Sequence, residues 1–334
     1  MTTATAVATA PATPASTWRA NRWLRFGLRR SARLAVSLWV LVTAAFLMIH
    51  LVPGDPVRAA LGMTASPGMV AARRAELGLD TPLWHQYLHF LGGLFTGELG
   101  SSTISGQPVT QTIGDRLPAT LQLAGLAFVL ALVIAVPLGT AMAALTRGGR
   151  RRGAELAFTS GSVLLAAVPE FLLAVVLAYV FAVRLGWFPV AGRQGPGSYV
   201  LPVLALAAGP ASVLARIGRV EMLSVLSHDY VRTARAKRLP PRRVYVRHAL
   251  PNALTATLTL GGLLLSALVA GTVLVENVFA WPGLGSTIVQ SILQKDYPVV
   301  QGIVLVYGTG VLVVNLLVDV ALALLDPRSA IREA

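Results

Sequence analysis

Six stretches of this chain, residues 34–52, 117–145, 156–183, 199–215, 253–275 and 299–325, are long, apolar and almost free of charge. About 20 such residues rising about 1.5 Å each suffice to cross a hydrocarbon core. Inside that core every backbone N–H and C=O must be satisfied within the segment, which leaves helices as the solution for runs of this length. Only Glu170, in the third stretch, and Asp319, in the sixth, put an acidic group inside a span. The fourth stretch is the shortest and holds Pro202 and Pro210.

Composition agrees and removes the competing classes. Charged residues make up 13% of the 334 and hydrophobic ones 55%, with a mean hydropathy of +0.68. A soluble domain carries roughly 25% charged residues. A soluble enzyme, a nucleic-acid module and a disordered protein are therefore excluded. The net charge of +14 would suggest nucleic acid in a soluble protein; here its distribution reports topology. Zero cysteines exclude thiolate metal sites, disulfides and cysteine catalysis.

The arginines set the orientation. Basic residues before the first span, in the second and fourth connections and after the last span number 21, against 7 in the other connections. The rich side is expected to be cytoplasmic, with both termini inside. The fold class is thus an all-α polytopic membrane protein of six transmembrane helices. Residues 1–17 read as a disordered Ala/Thr/Pro tract, 18–33 as a basic cytoplasmic segment, 34–325 as the membrane domain and 326–334 as a cytoplasmic tail. Arg29-Arg30 ahead of an apolar run raises a twin-arginine signal, but the region before the run is too long, so the first span is read as retained.

Two connections exceed what joining spans requires. The external segment 53–116 contains Trp84, Tyr87, Leu88, Leu91 and Leu94 at helical spacing, an amphipathic helix for the outer surface. His85 and His89 share a face there at zinc-compatible spacing. Gln86 stands where a metalloprotease has glutamate and no third ligand is evident, so no metal site is assigned. The other long connection, 218–250, is cytoplasmic and basic. Within it Asp229-Tyr230-Val231-Arg232-Thr233-Ala234-Arg235-Ala236-Lys237-Arg238-Leu239 reads as a short helix with Asp229 as a candidate N-cap, stopped by Pro240-Pro241. A second basic helix follows and leads into span five. A helix–break–helix of this kind is a docking element.

Tyr230–Lys237 and His248–Leu254 resemble the loop signature of bacterial ABC importer permeases, in the dipeptide/oligopeptide/nickel branch. The stretches from Glu276 to Gly285 (E-N-V-F-A-W-P-G-L-G), from Asp296 to Gly302 (D-Y-P-V-V-Q-G) and from Asn315 to Arg328, together with Leu51-Val52-Pro53-Gly54-Asp55-Pro56, are similar to the same branch in the same order. The branch has glycine where this chain has Arg238. That resemblance implies a type I ABC importer-like permease fold in the bacterial inner membrane. It implies half of a channel for di- or oligopeptides, paired with a second homologous permease subunit. Two cytoplasmic ATPase subunits would engage residues 229–239, and an extracytoplasmic substrate-binding protein would deliver the solute. Glu276, Trp281 and Asp296, near the outer face, are candidates for docking that protein, with plain solvation as the alternative for the two acids. Membrane lipid is a partner and nucleic acid is not.

No Walker-A pattern is present, so nucleotide chemistry belongs to partners and the chain needs no cofactor. Nickel chelates and other small solutes fall within the same branch. A secondary transporter is the rival mechanism, because Glu170 and Asp319 lie inside spans, and intramembrane acids are functional candidates by default. Counting along a straight span puts Glu170 near mid-bilayer, as a candidate lining the translocation path.

Overall fold

The computed structural model describes residues 15–51, 57–58, 65–76 and 80–325. The tail at 326–334, most of the exit from the first span and most of the N-terminal tract lie outside the described residues. Helix α1 (Ala15–Leu51) takes in both the end of that tract and the basic segment, so residues 15–33 are helical rather than a separate arm. Two short helices follow, α2 (Pro67–Glu76) and α3 (Leu83–Thr96). The long helix α4 (Val109–Thr146) begins eight residues before the apolar run at 117, inside what the sequence reads as external connection.

The third span is not one rod. Helices α5 (Arg152–Ala167) and α6 (Glu170–Leu177), the latter continued by a π-helical turn over Ala178–Arg184, meet at 94°. Hydropathy sees one continuous run at 156–183, but Pro169 has no N–H to donate and the residue before a proline avoids helical ψ. Val168 and Pro169 accordingly sit at ψ 122° and 136°. Helix α7 (Val200–Val225) runs ten residues past the end of its apolar stretch, because Arg216, Arg219 and Glu221 continue the helix beyond the apolar core. Then come α8 (Asp229–Ala236), a turn of helix at Pro241–Arg243, a π-helical turn at Val244–Ala249, and α9 (Leu250–Val278), the fifth span. The short α10 (Leu284–Leu293) and the sixth span α11 (Tyr297–Leu325) end the described chain. Among the described residues five helices are long and apolar enough to span a membrane, and six with the bent pair taken as one.

Helix association between lipid-facing spans gains little from hydrophobicity and relies on close packing of small residues. Ala124, Ala127, Ala131, Ala135, Gly139 and Ala143 form such a stripe on α4, all buried. They face α7, whose Ala207, Ala211 and Ala215 are buried in turn. At Gly139 the approach is so close that a Cβ would lie 2.6 Å from the Ala215 carbonyl oxygen. Helix α1 stands against α11: Arg30 pairs with Asp319, Gln301 donates to the Ala45 carbonyl (3.1 Å), and Gly308 makes room for Leu41. Asp319 is therefore half of an inter-helix ion pair. Helix α3 leans on the other end of α1, where Tyr87 meets Thr43 Oγ1 at 2.8 Å and Phe46 edge-on at 5.2 Å. His85 stacks on Trp84 at 3.8 Å.

Candidate functional site

Helix α8 is held at the arginine-rich end of the bundle by one face. Val231 (0% exposed) and Ala234 (7%) pack with Ala143 of α4, Met222, Val225 and Leu226 of α7 and its end, and Val244, Ala249 and Ala253 leading into α9. Asp229, Tyr230, Arg232, Thr233, Ala236, Lys237 and Arg238 are exposed. The sequence has 229–239 as one docking helix; the structure divides it into an anchoring face and a presented face. The pattern is local, since apolar residues three apart on a charged helix make one narrow stripe.

Both ends of α8 differ from the sequence expectation. Its N-cap is His228, in extended geometry (φ −70°, ψ 152°), and Asp229 is the first helical residue. Asp229 still complements the positive helix end, and its carboxylate reaches Arg232 Nη1 at 3.3 Å. The helix is ended not by the prolines but by Arg238, which adopts φ +54°. The Arg238 N–H donates to the Arg235 carbonyl (2.8 Å) and the Leu239 N–H to that of Ala234 (3.4 Å). These are the two bonds of a Schellman cap, whose left-handed position is ordinarily glycine. Leu239 closes the motif against the same apolar cluster. Pro240 and Pro241 act afterwards, with Pro241 opening the next turn of helix. Arg235 is half-buried, and its Nη2 is sealed from solvent without a partner among the described residues. Desolvation, reinforced by Arg147, lowers its proton affinity.

Beside α8 a buried polar joint locks three span ends. Arg219 of α7, 8% exposed, donates from Nε to Thr146 Oγ1 of α4 (3.0 Å) and from Nη2 to Glu155 of α5 (2.6 Å). In the sequence Arg219 reads as one more basic residue of the connection 218–250. Its only signal was position, a charge just inside a helix continuing beyond its apolar run.

At the opposite end the three docking candidates are interior groups, which corrects both the docking expectation and the solvation alternative. Glu276 is 0% exposed, Trp281 0% and Asp296 4%. The Glu276 carboxylate accepts from Thr120 Oγ1 of α4 (2.7 Å) and from the N–H groups of Gly285 (2.7 Å) and Ser286 (3.2 Å) at the start of α10. A negative group at a helix N-terminus is favourably placed. Thr120 Oγ1 in turn accepts from the Leu284 N–H (2.9 Å). The cradle accounts for both glycines of the W-P-G-L-G turn: a Cβ on Gly283 would meet Glu276 at 2.4 Å, and one on Gly285 would meet the Val273 backbone at 2.5 Å. Trp281 donates from Nε1 to the Ala119 carbonyl (3.2 Å) and packs edge-on to Tyr199 at 4.7 Å, so it is a core residue and not an interfacial one. Asp296 accepts from Ser102 Oγ and from the Thr103 N–H (3.0 Å), pinning the α3–α4 loop to the start of α11.

Glu170 opens α6 at the bend, half-buried. Its carboxylate lies against Gly271 of α9, where a Cβ would come within 2.2 Å of Oε2. Gly271 is seven residues, about 10 Å, from the end of α9 at Val278. The 94° bend between α5 and α6 means that a straight-rod count does not describe where Glu170 stands. Among the described residues the carboxylate has no hydrogen-bond partner.

The family model described as "binding-protein-dependent transport system inner membrane component" matches residues 135–331, and the model for the N-terminal part of such components matches 23–124. A glutathione transport system permease protein of Pectobacterium atrosepticum is 39% identical over 305 residues, covering 91% of this chain and 98% of the relative. Its counterpart in Escherichia coli strain K12 is 36% identical over 304 residues, with 91% and 98% covered. Among solved structures, the MetNI methionine ABC transporter in an inward-facing conformation matches with a TM-score of 0.54 at 18% identity, over 65% of this chain and 97% of that one; the likeness is one of fold.

Proposed function

The chain belongs to the family of inner membrane components of binding-protein-dependent transport systems, and on that premise we propose that it forms half of an ATP-driven import channel for small peptides. It is a multi-pass inner-membrane protein and a transport permease, not a catalytic subunit. In this reading the arginine-rich end faces the cytoplasm, both termini included. A second homologous permease completes the channel, two ATPase subunits engage α8, and a binding protein delivers solute at the opposite end. Relatives named for glutathione, itself a small peptide, support the substrate class.

The observation that carries the reading is the two-faced α8. Its inner face is packed into the ends of α4, α7 and α9 while its outer face is open. A force applied from outside is thus delivered to three spans at once, and after the break at 237–240 a continuous run of helical turns leads from Pro241 into α9. That is the connection alternating access requires of a coupling element. Single cysteines at Thr233 and Ala236, both exposed, are expected to crosslink to an ATPase subunit, and one at the buried Ala234 is not. Crosslinks from Thr233 and Ala236 to the other permease alone would overturn the assignment. Glu170 lines the path in this reading, where its carboxylate attracts a peptide's ammonium. Glu170→Gln should then slow import of free-amine peptides several-fold and leave N-blocked ones unchanged; equal slowing of both returns it to a structural role.

A further inference from the structure

At the end of the bundle far from α8, an arginine is built into a site that neither ATP coupling nor the Glu276 cradle uses. Arg193 donates from Nη2 to Gln122 Oε1 of α4 (2.6 Å) and from Nε to Tyr199 Oη at the start of α7 (2.7 Å). Its guanidinium lies over the rings of Tyr199 and Trp281, at 5.9 and 6.0 Å from their centroids. Three elements thus hold the planar group at a fixed angle. Among the described residues no carboxylate pairs with Arg193, and Nη1 makes none of these bonds. The preceding stretch ends on Arg184 bonded to Tyr179 Oη (2.7 Å) and on Trp187, 65% exposed. Such side chains gather at the membrane–water boundary.

Arg193 heads a cavity of about 520 Å³, lined also by Leu126, Gly195, Pro196 and Tyr199. Leu126 and Tyr199 are shared with a second cleft of about 480 Å³ that continues between α4 and α7 past Val129, Val133, Val203 and Leu204. From Leu126 to Val133 it runs about 10 Å along the helix axis, and every residue lining it below Tyr199 is aliphatic. We propose that this is a binding site for an anionic phospholipid, with the headgroup phosphate on Arg193, which Tyr199 and Gln122 hold in place, and an acyl chain in the α4–α7 groove. The cation fixes the charge of the head. The groove chooses lipid over a peptide carboxylate, because a peptide laid along it would bury backbone amides with no polar partner, and an acyl chain has none to bury.

The test uses the chain in its complete transporter, purified in mild detergent and analysed by native mass spectrometry with dioleoyl phosphatidylglycerol or dioleoyl phosphatidylethanolamine. Phosphatidylglycerol should be retained several-fold better, because both lipids offer the phosphate but only phosphatidylethanolamine brings an ammonium, which Arg193 repels. Arg193→Ala should abolish that preference. Val129→Trp fills the groove from a position 57% exposed, leaves the arginine intact, and should lower retention of both lipids. Glycerol phosphate, a head without chains, should not compete. Unchanged phosphatidylglycerol retention in both variants overturns the site. So does competition by glycerol phosphate equal to that of the lipid, or a photocrosslinker at Leu126 that captures the partner permease in place of lipid.

Discussion

The two ends of this bundle use the same kinds of polar residue in opposite ways. At the far end Glu276, Trp281 and Asp296 are sealed inside and bonded to α4, α10 and the α3–α4 loop. At the arginine-rich end Asp229, Arg232 and Lys237 stand in solvent on a helix held by an apolar stripe. The far end is a lock made of directional bonds, whereas α8 is a handle fixed by packing beside the Arg219 joint. A carboxylate in a loop motif therefore says little about exposure until its donors are located.

The contrast is broken most severely at Glu276. Glu276→Ala strands the Thr120 hydroxyl and two backbone N–H groups in a dry site, and should lower stability by about 3–5 kcal/mol. Thermal unfolding in detergent, with protease sensitivity of the 279–286 turn, would register it. Gly283→Ala should approach that effect, since its Cβ enters the same cradle.

Arg219→Ala ranks next. It removes the 2.6 Å pair to Glu155 and the bond to Thr146 at the other end. Because Glu155 is 37% exposed and can rehydrate, the expected loss is about 2 kcal/mol, below that of a fully buried pair. Arg219→Lys should recover part of it. If Arg219→Ala proves harmless while Glu276→Ala is severe, the lock belongs to one end alone.

Arg238→Gly should act in the other direction. Relieving a side chain from left-handed backbone is worth about 1 kcal/mol here, less the entropy glycine gains when unfolded. The melting temperature should rise by about one degree at most with transport retained. A fall would mean the Arg238 side chain supports the cap. The smallest effect belongs to the handle itself: Asp229→Asn breaks an exposed pair and should leave the melting temperature unmoved. Any change should appear in ATPase coupling instead, read as transport per ATP hydrolysed.

The sequence by itself determined the membrane class, the positions of the apolar spans and the place of α8, because each is written in local chemistry. Twenty apolar residues must be helical in lipid, and a proline or an apolar stripe acts on its own neighbourhood. The family resemblance reached the same chain segments through motif order. Helix limits were legible only to the edge of the hydropathy, so α4 and α7 run past it. Only the tertiary structure decided which polar groups meet. Glu276 finds Thr120 across 156 residues, Asp296 finds Ser102 across 194, and Arg219 finds Glu155 across 64. The bend at Pro169, where two helices meet at 94°, likewise set the position of Glu170 beside Gly271. A hydrogen bond or ion pair depends on two groups arriving within about 3 Å, and that coincidence is a property of the packed helices, not of either segment alone.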